Sequence, residues 1–242
     1  MNKSLLCLSL SLMCSPSVFA DASYEQELKQ QCSKIKNFGL QGKKNYDQKQ
    51  YTQALKQFKN QAVWTAFCAA NEDDSGVQLS QRDIELAYNN VGLTYSKLHQ
   101  PGWSRAWYSV FPNSSISQYN LKQLPSPKRD LNLAGTYVQH AGFGQWNTLK
   151  VTRQKQDYLV QFNGLYMGAR SLIYGPNIGD FETTLALNKT QTQYHSKTCQ
   201  IDVSFEFDPK LGQRALLKQS GDISGCGFGH NVSANGIFLK VE

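Results

Sequence analysis

Beyond its first 20 residues the 242-residue chain has no hydrophobic run long enough to cross a bilayer, so no membrane span is expected. Its mean hydropathy of −0.49 likewise excludes a multi-span membrane protein. Short signatures of chemistry are also missing. There is no Gly-x-Ser-x-Gly nucleophile elbow and no phosphate-binding P-loop. Only 4 histidines occur, and His140, His195 and His230 of the C-terminal half stand at no metal-ligand spacing. No metal and no other cofactor is expected. The glycine-rich stretch Gly225-Cys226-Gly227-Phe228-Gly229-His230 lies between strand patterns, where its glycines serve a tight turn rather than a phosphate. Carboxylates paired only by folding leave no mark in a sequence, so a hydrolase is disfavoured on this reading and not excluded.

Aromatic residues make up 12% of the chain, which argues for a folded protein, and the length allows one or two domains with cores of their own. Residues 1–20 read as a secretory signal peptide. Lys3 gives a short positive start, and Leu5 to Met13 form an apolar segment too short to span a membrane. Val18-Phe19-Ala20 then places small residues at the −3 and −1 positions of a cleavage site after Ala20. Lipidation at Cys14 is the competing reading, but it would put the bulky Met13 where such sites take a small residue. Cleavage leaves Cys32, Cys68, Cys199 and Cys226, an even number that predicts two disulfides in an exported chain.

From residue 21 to 112 the apolar period is helical. Tyr24, Leu28, Cys32 and Ile35 share one face, as do Ala54, Phe58 and Ala62. Ser80 is placed to cap a helix with Asp83 in its first turn, and Ile84, Ala87, Val91, Tyr95 and Leu98 follow on one stripe. Pro101 suits the first position of the next helix. The pattern predicts two helical hairpins. If the first turns near Asp47 to Gln50, antiparallel helices bring Cys32 opposite Cys68, and that disulfide contributes about 3–4 kcal/mol in the chain-entropy model.

Residues 113–133 lose the period and read as a linker marked by Asn-Ser-Ser and Pro-Ser-Pro clusters. From 134 to 242 the period is two. Cys199, Ile201, Val203, Phe205 and Phe207 alternate with polar residues, and shorter alternations surround Val151, Val160, Leu185 and Leu239. Asn163-Gly164, Gly175-Pro176 and Asn235-Gly236 read as turns between strands. The expected fold is α+β: N-terminal helical hairpins, then about seven or eight antiparallel strands in a small barrel or sandwich.

In the helical part, Gly42, Tyr51, Ala54 and Phe58, and then Asn90-Val91-Gly92 with Tyr95, resemble the signature positions of tetratricopeptide repeats. The resemblance implies paired helices, a further element capping them, and a surface that binds a protein segment. The closing stretch from Cys226 to Lys240 resembles the end of a small β domain of exported bacterial envelope proteins, some of them lysozyme-inhibitor-like. That resemblance implies a bond between Cys226 and Cys199.

Charge locates a candidate site. Lys29, Lys34, Lys36, Lys43, Lys44, Lys49, Lys56 and Lys59 fall within one stretch opposed only by Asp47, while the β half is close to neutral. The first hairpin thus offers Lys36, Lys43, Lys44, Lys49, Lys56 and Lys59 to an anionic partner, the bland alternative being a solvated helix face. Trp103, Trp107, Tyr108 and Phe111 crowd one short helix. They either cement the β half to the helices or, through Trp103 and Tyr108, line a groove for a peptide. The expected protein is periplasmic and non-enzymatic, an interaction or adaptor protein for a wall-synthesis or secretion component. Its expected partner is an envelope protein or an anionic envelope polymer, not nucleic acid. The alternatives are an inhibitor or immunity-type protein that blocks a wall-degrading enzyme, and an unrecognised wall hydrolase. The sequons at Asn113, Asn188 and Asn231 matter only in a eukaryotic host.

Overall fold

The structure is a computed structural model that describes residues 17–242 apart from Lys197 and Asp222. Among the described residues seven helices come first: α1 (Ser17–Cys32), α2 (Ile35–Asp47), α3 (Tyr51–Ala70), α4 (Glu72–Ser75), α5 (Gln81–Lys97), α6 (Pro101–Tyr108) and α7 (Ser115–Gln123). Eight antiparallel strands follow: β1 (Gly135–Gly142), β2 (Gln145–Arg153), β3 (Asp157–Tyr166), β4 (Asn177–Ala186), β5 (Gln191–Ser196), β6 (Cys199–Asp208), β7 (Gly212–Gly221) and β8 (Gly236–Lys240). A one-turn helix α8 (Ser171–Tyr174) lies between β3 and β4. The α+β expectation holds. Of the expected export signal, only Ser17–Ala20 fall among the described residues, at the start of α1. No helix among the described residues is long and apolar enough to cross a membrane.

The helical half is built in pairs. α2 and α3 turn back at Gln48–Gln50, where the sequence placed the turn, and Gly42 lets them approach until a Cβ there would lie 2.6 Å from the Phe58 ring. α5 and α6 repeat the device: a Cβ on Gly92 would lie 2.4 Å from the Tyr108 ring. The α5 start is a full capping box. Ser80 Oγ accepts from Asp83 N at 3.2 Å, and Asp83 Oδ2 accepts from Ser80 N at 2.8 Å. Pro101 opens α6 as expected.

Cys32 and Cys68 are bonded with their Cα atoms 5.9 Å apart, tying α1 to the end of α3. Within the segment expected to link the halves, residues 115–123 form α7. Its contacts are polar: Asn89 Nδ2 donates to Ser117 Oγ at 3.0 Å, and Asn120 Nδ2 donates to Asn89 Oδ1 at 2.9 Å. A helix docked by amides and hydroxyls has no apolar stripe to read.

In the β half the strand order is β4-β3-β2-β1-β8-β7-β6-β5, two four-stranded meanders joined at β1 and β8. That junction is short, with only Tyr137 opposite Lys240 and Val138 opposite Leu239. The outer edges β4 and β5 curl together into a nearly closed barrel. No backbone ladder joins them; Thr183 Oγ1 donates to Gln193 O at 2.9 Å and Thr192 Oγ1 to Thr184 O at 2.6 Å. Inside, Tyr137, Leu149, Val160, Phe162, Phe181, Ile201, Val203 and Phe238 form one packed core. Asn163-Gly164 is not a turn but lies within β3. A Cβ on Gly164 would come 2.5 Å from the Phe162 ring, so glycine is there for close approach. A 3₁₀ turn over Ile223–Cys226 brings Cys226 to its disulfide with Cys199, Cα–Cα 5.0 Å.

The outer face of β1, β2 and β8 is covered by the helices. Val138 and Val241 pack with Ala106 of α6 against Trp103 and Trp146. The β1–β2 turn enters the helical half: the Phe143 ring meets Phe67 edge-on at 5.0 Å, and Gly144 lies against Val63 and Trp107. Near α8, Leu172 and Ile173 pack on the Tyr24–Leu28 cluster, and Tyr24 Oη donates to Ala169 O at 3.1 Å.

Candidate functional site

α2 packs chiefly on α3, so its far side faces solvent. Helical spacing sets Lys36, Leu40, Lys43 and Lys44 along that side, all exposed, with Leu40 at 60%. Lys49 continues the row through the turn in a left-handed conformation (φ 60°), and Lys56 extends it onto the first turns of α3. Lys43 is bonded to Asp47 at 2.6 Å across one helical turn. Lys36, Lys44, Lys49 and Lys56 have no carboxylate within ion-pair distance among the described residues. Their mutual repulsion is therefore relieved only by solvent and counter-ions, the condition in which a polyanion gains affinity by displacing them.

Lys59 differs. Its Nζ lies 5.1 Å from the Tyr95 ring centre and 5.9 Å from that of Trp103, and burial holds its pKa below the usual lysine range. It belongs to the packing of α3 on α5 and α6 rather than to the exposed row.

The two aromatic candidates separate as well. Tyr108 is 1% exposed behind Gly92 and cannot line a groove open to a peptide. Trp103 is partly open. It stacks on Tyr95 at 5.5 Å, meets Trp146 edge-on at 5.9 Å, and donates from Nε1 to Glu242 Oε1 at 3.2 Å. With Trp107, which meets Trp146 at 5.3 Å, it cements the two halves.

The histidines are dispersed. His195 and His230 are exposed on the barrel, and no group of three or more His, Cys, Asp or Glu among the described residues could hold a metal. His140 sits at the junction, with Nε2 accepting from Gly144 N at 3.1 Å and 3.4 Å from Tyr88 Oη. Between the Tyr88 and Trp146 rings, burial lowers its pKa to about 4.

One buried charge escaped the sequence reading. Arg105, in the middle of α6, is 6% exposed, and its Nη2 donates to Pro125 O. Its only signal is that it is the sole charged residue of that helix, Pro101 to Tyr108. Comparison with protein-family models, with curated proteins and with solved structures returns no match for this chain.

Proposed function

We propose that the chain is exported by a signal peptide cleaved after Ala20 and acts in the periplasm as a non-enzymatic interaction protein. In this reading the α2–α3 hairpin docks an anionic partner of the cell envelope, such as an acidic face of a wall-synthesis or secretion component. The observation that carries it is the row Lys36, Lys43, Lys44, Lys49 and Lys56 on the solvent side of the outermost hairpin, opposed only by Asp47. Two disulfides support an oxidising compartment. The packed barrel interior supports a structural rather than a ligand-carrying β half.

The test is an affinity capture from envelope extract at low and high salt with three forms of the mature chain. These are the wild type, a reversal of the five lysines to Glu, and a control reversal of the exposed barrel residues Lys150, Lys155 and Lys189. A specific protein or polymer captured by the wild type and the control, released by salt and lost with the hairpin reversal, is expected. Equal capture by the hairpin reversal refutes docking through this surface. A wall-degrading enzyme held equally by all three forms would replace the proposal with the inhibitor reading.

A further inference from the structure

At the junction of α6, the segment after α7 and the barrel lies a cleft of about 430 Å³. Arg105 lies in its wall with Lys128 and Lys240, and the acids there are Asp130 and Glu242. Both acids are already engaged. Asp130 accepts from Lys240 Nζ at 3.2 Å and from Asn132 N at 2.9 Å; Glu242 accepts from Trp103 Nε1 and Thr136 Oγ1, each at 3.2 Å. Arg105 has no carboxylate within ion-pair distance among the described residues, and its hydrogen bond goes to a backbone carbonyl. Lys128, exposed at the rim, has none either.

A guanidinium carries five N–H donors in a rigid fork, and burying its charge beside a lone carbonyl is costly unless an anion completes the set. Arg105 lines the cleft, and none of its nitrogens is both buried and unpartnered. We infer that this cleft is a binding site for a phosphate-type oxyanion, gripped by the Arg105 guanidinium in its wall and by Lys128 at its rim. Three cations against the Asp130 and Glu242 carboxylates leave the cleft a net charge of +1, which suits an anion, and the fork suits its paired oxygens. At about 430 Å³ the cleft has room for a phosphate ester with a small organic body. The site is separate from the lysine hairpin and stands or falls without it.

The experiment uses the mature chain with the five hairpin lysines reversed, so that the hairpin cannot supply the binding. Inorganic phosphate and glycerol phosphate are titrated against matched chloride, with calorimetry and the Arg105 Nε–Hε resonance as readouts. Saturable binding is expected, weakened at least about tenfold by Arg105→Gln, the size of one charge-assisted contact, and several-fold by Lys128→Glu. Arg105→Lys, which keeps the charge but not the fork, falls between. Flotation with vesicles containing phosphatidic acid, lost in Arg105→Gln, assigns the ester to a lipid headgroup; saturation by the soluble probes without flotation assigns a free ester. No saturation by either probe overturns the inference, as does equal affinity in folded Arg105→Gln. Should that variant not fold, unchanged affinity in Lys128→Glu overturns it, since the rim lysine has no partner to lose.

Discussion

The two halves bury their apolar residues by different routes, and the difference decides where each can bind. The barrel closes on itself: Phe162, Phe181, Ile201, Val203 and Phe238 face one another, which leaves only the outer surface and the rims. The helices are layered, each pair covering one face of the next. A layered stack has ends, and one end here is α2 with its row of lysines. Charge follows the same division. The β half, residues 134–242, holds 10 basic and 8 acidic residues, whereas the stretch from Lys29 to Lys59 holds 8 lysines and one Asp.

The sharpest way to break this comparison is to remove what joins the halves. Trp107 is 1% exposed and meets Tyr88 and Trp146 at 5.2 and 5.3 Å. Trp107→Ala is expected to cost about 4 kcal/mol and to split one denaturant transition into two. Phe162→Ala, of similar cost, is confined to the barrel, and added to Trp107→Ala it should lower the β transition alone. A single undivided transition in Trp107→Ala would mean that the β1–β2 turn and α8 couple the halves without it.

A smaller effect comes from pH. His140 is buried neutral, with a pKa near 4 against 6.5 for the free side chain. Between those values the unfolded chain takes up the proton and the native state does not. The stability associated with a neutral His140 is therefore fully present above pH 6.5 and falls as pH drops toward 4, by at most about 3 kcal/mol. Asp83, Asp130 and Asp208, whose hydrogen bonds hold their carboxyls below the usual range, lose their contributions only at lower pH. His140→Gln should flatten the profile between pH 4 and 6.5 in urea melts at stepped pH, and an unchanged slope would assign it to another group.

The smallest change refines the helical side. Ser80→Ala removes half of the capping box and should cost about 1 kcal/mol, read as earlier hydrogen exchange in the first turn of α5 with the barrel amides unaffected.

Much of this architecture was legible because it rests on local rules. The Cys199–Phe207 alternation, the Ser80/Asp83 cap, the turn after Asp47 and the Cys32–Cys68 pairing each follow from residues close together or from antiparallel geometry. What escaped depended on distant partners. α7 is held by Asn89 and Asn120 and shows no stripe; Gly164 mimicked a turn because its constraint is a neighbouring ring; Arg105 became a buried charge only when the segment at Pro125 folded over it. Among the candidates, the exposed lysines were readable because charge crowding is a property of sequence. Lys59 and Tyr108 were misplaced because burial is a property of the stack.

The barrel's two seams are unequal in kind from the ladders between its other strands. One depends on two opposed residue pairs of β1 and β8, the other on threonine hydroxyls between β4 and β5. α6 lies along the first and acts as a splint across it. Separating the splint would leave two four-stranded sheets, each with a raw edge of unpaired amides and carbonyls, the form in which β proteins recruit further copies and aggregate. Keeping the helices attached thus keeps the β1 and β8 edges covered.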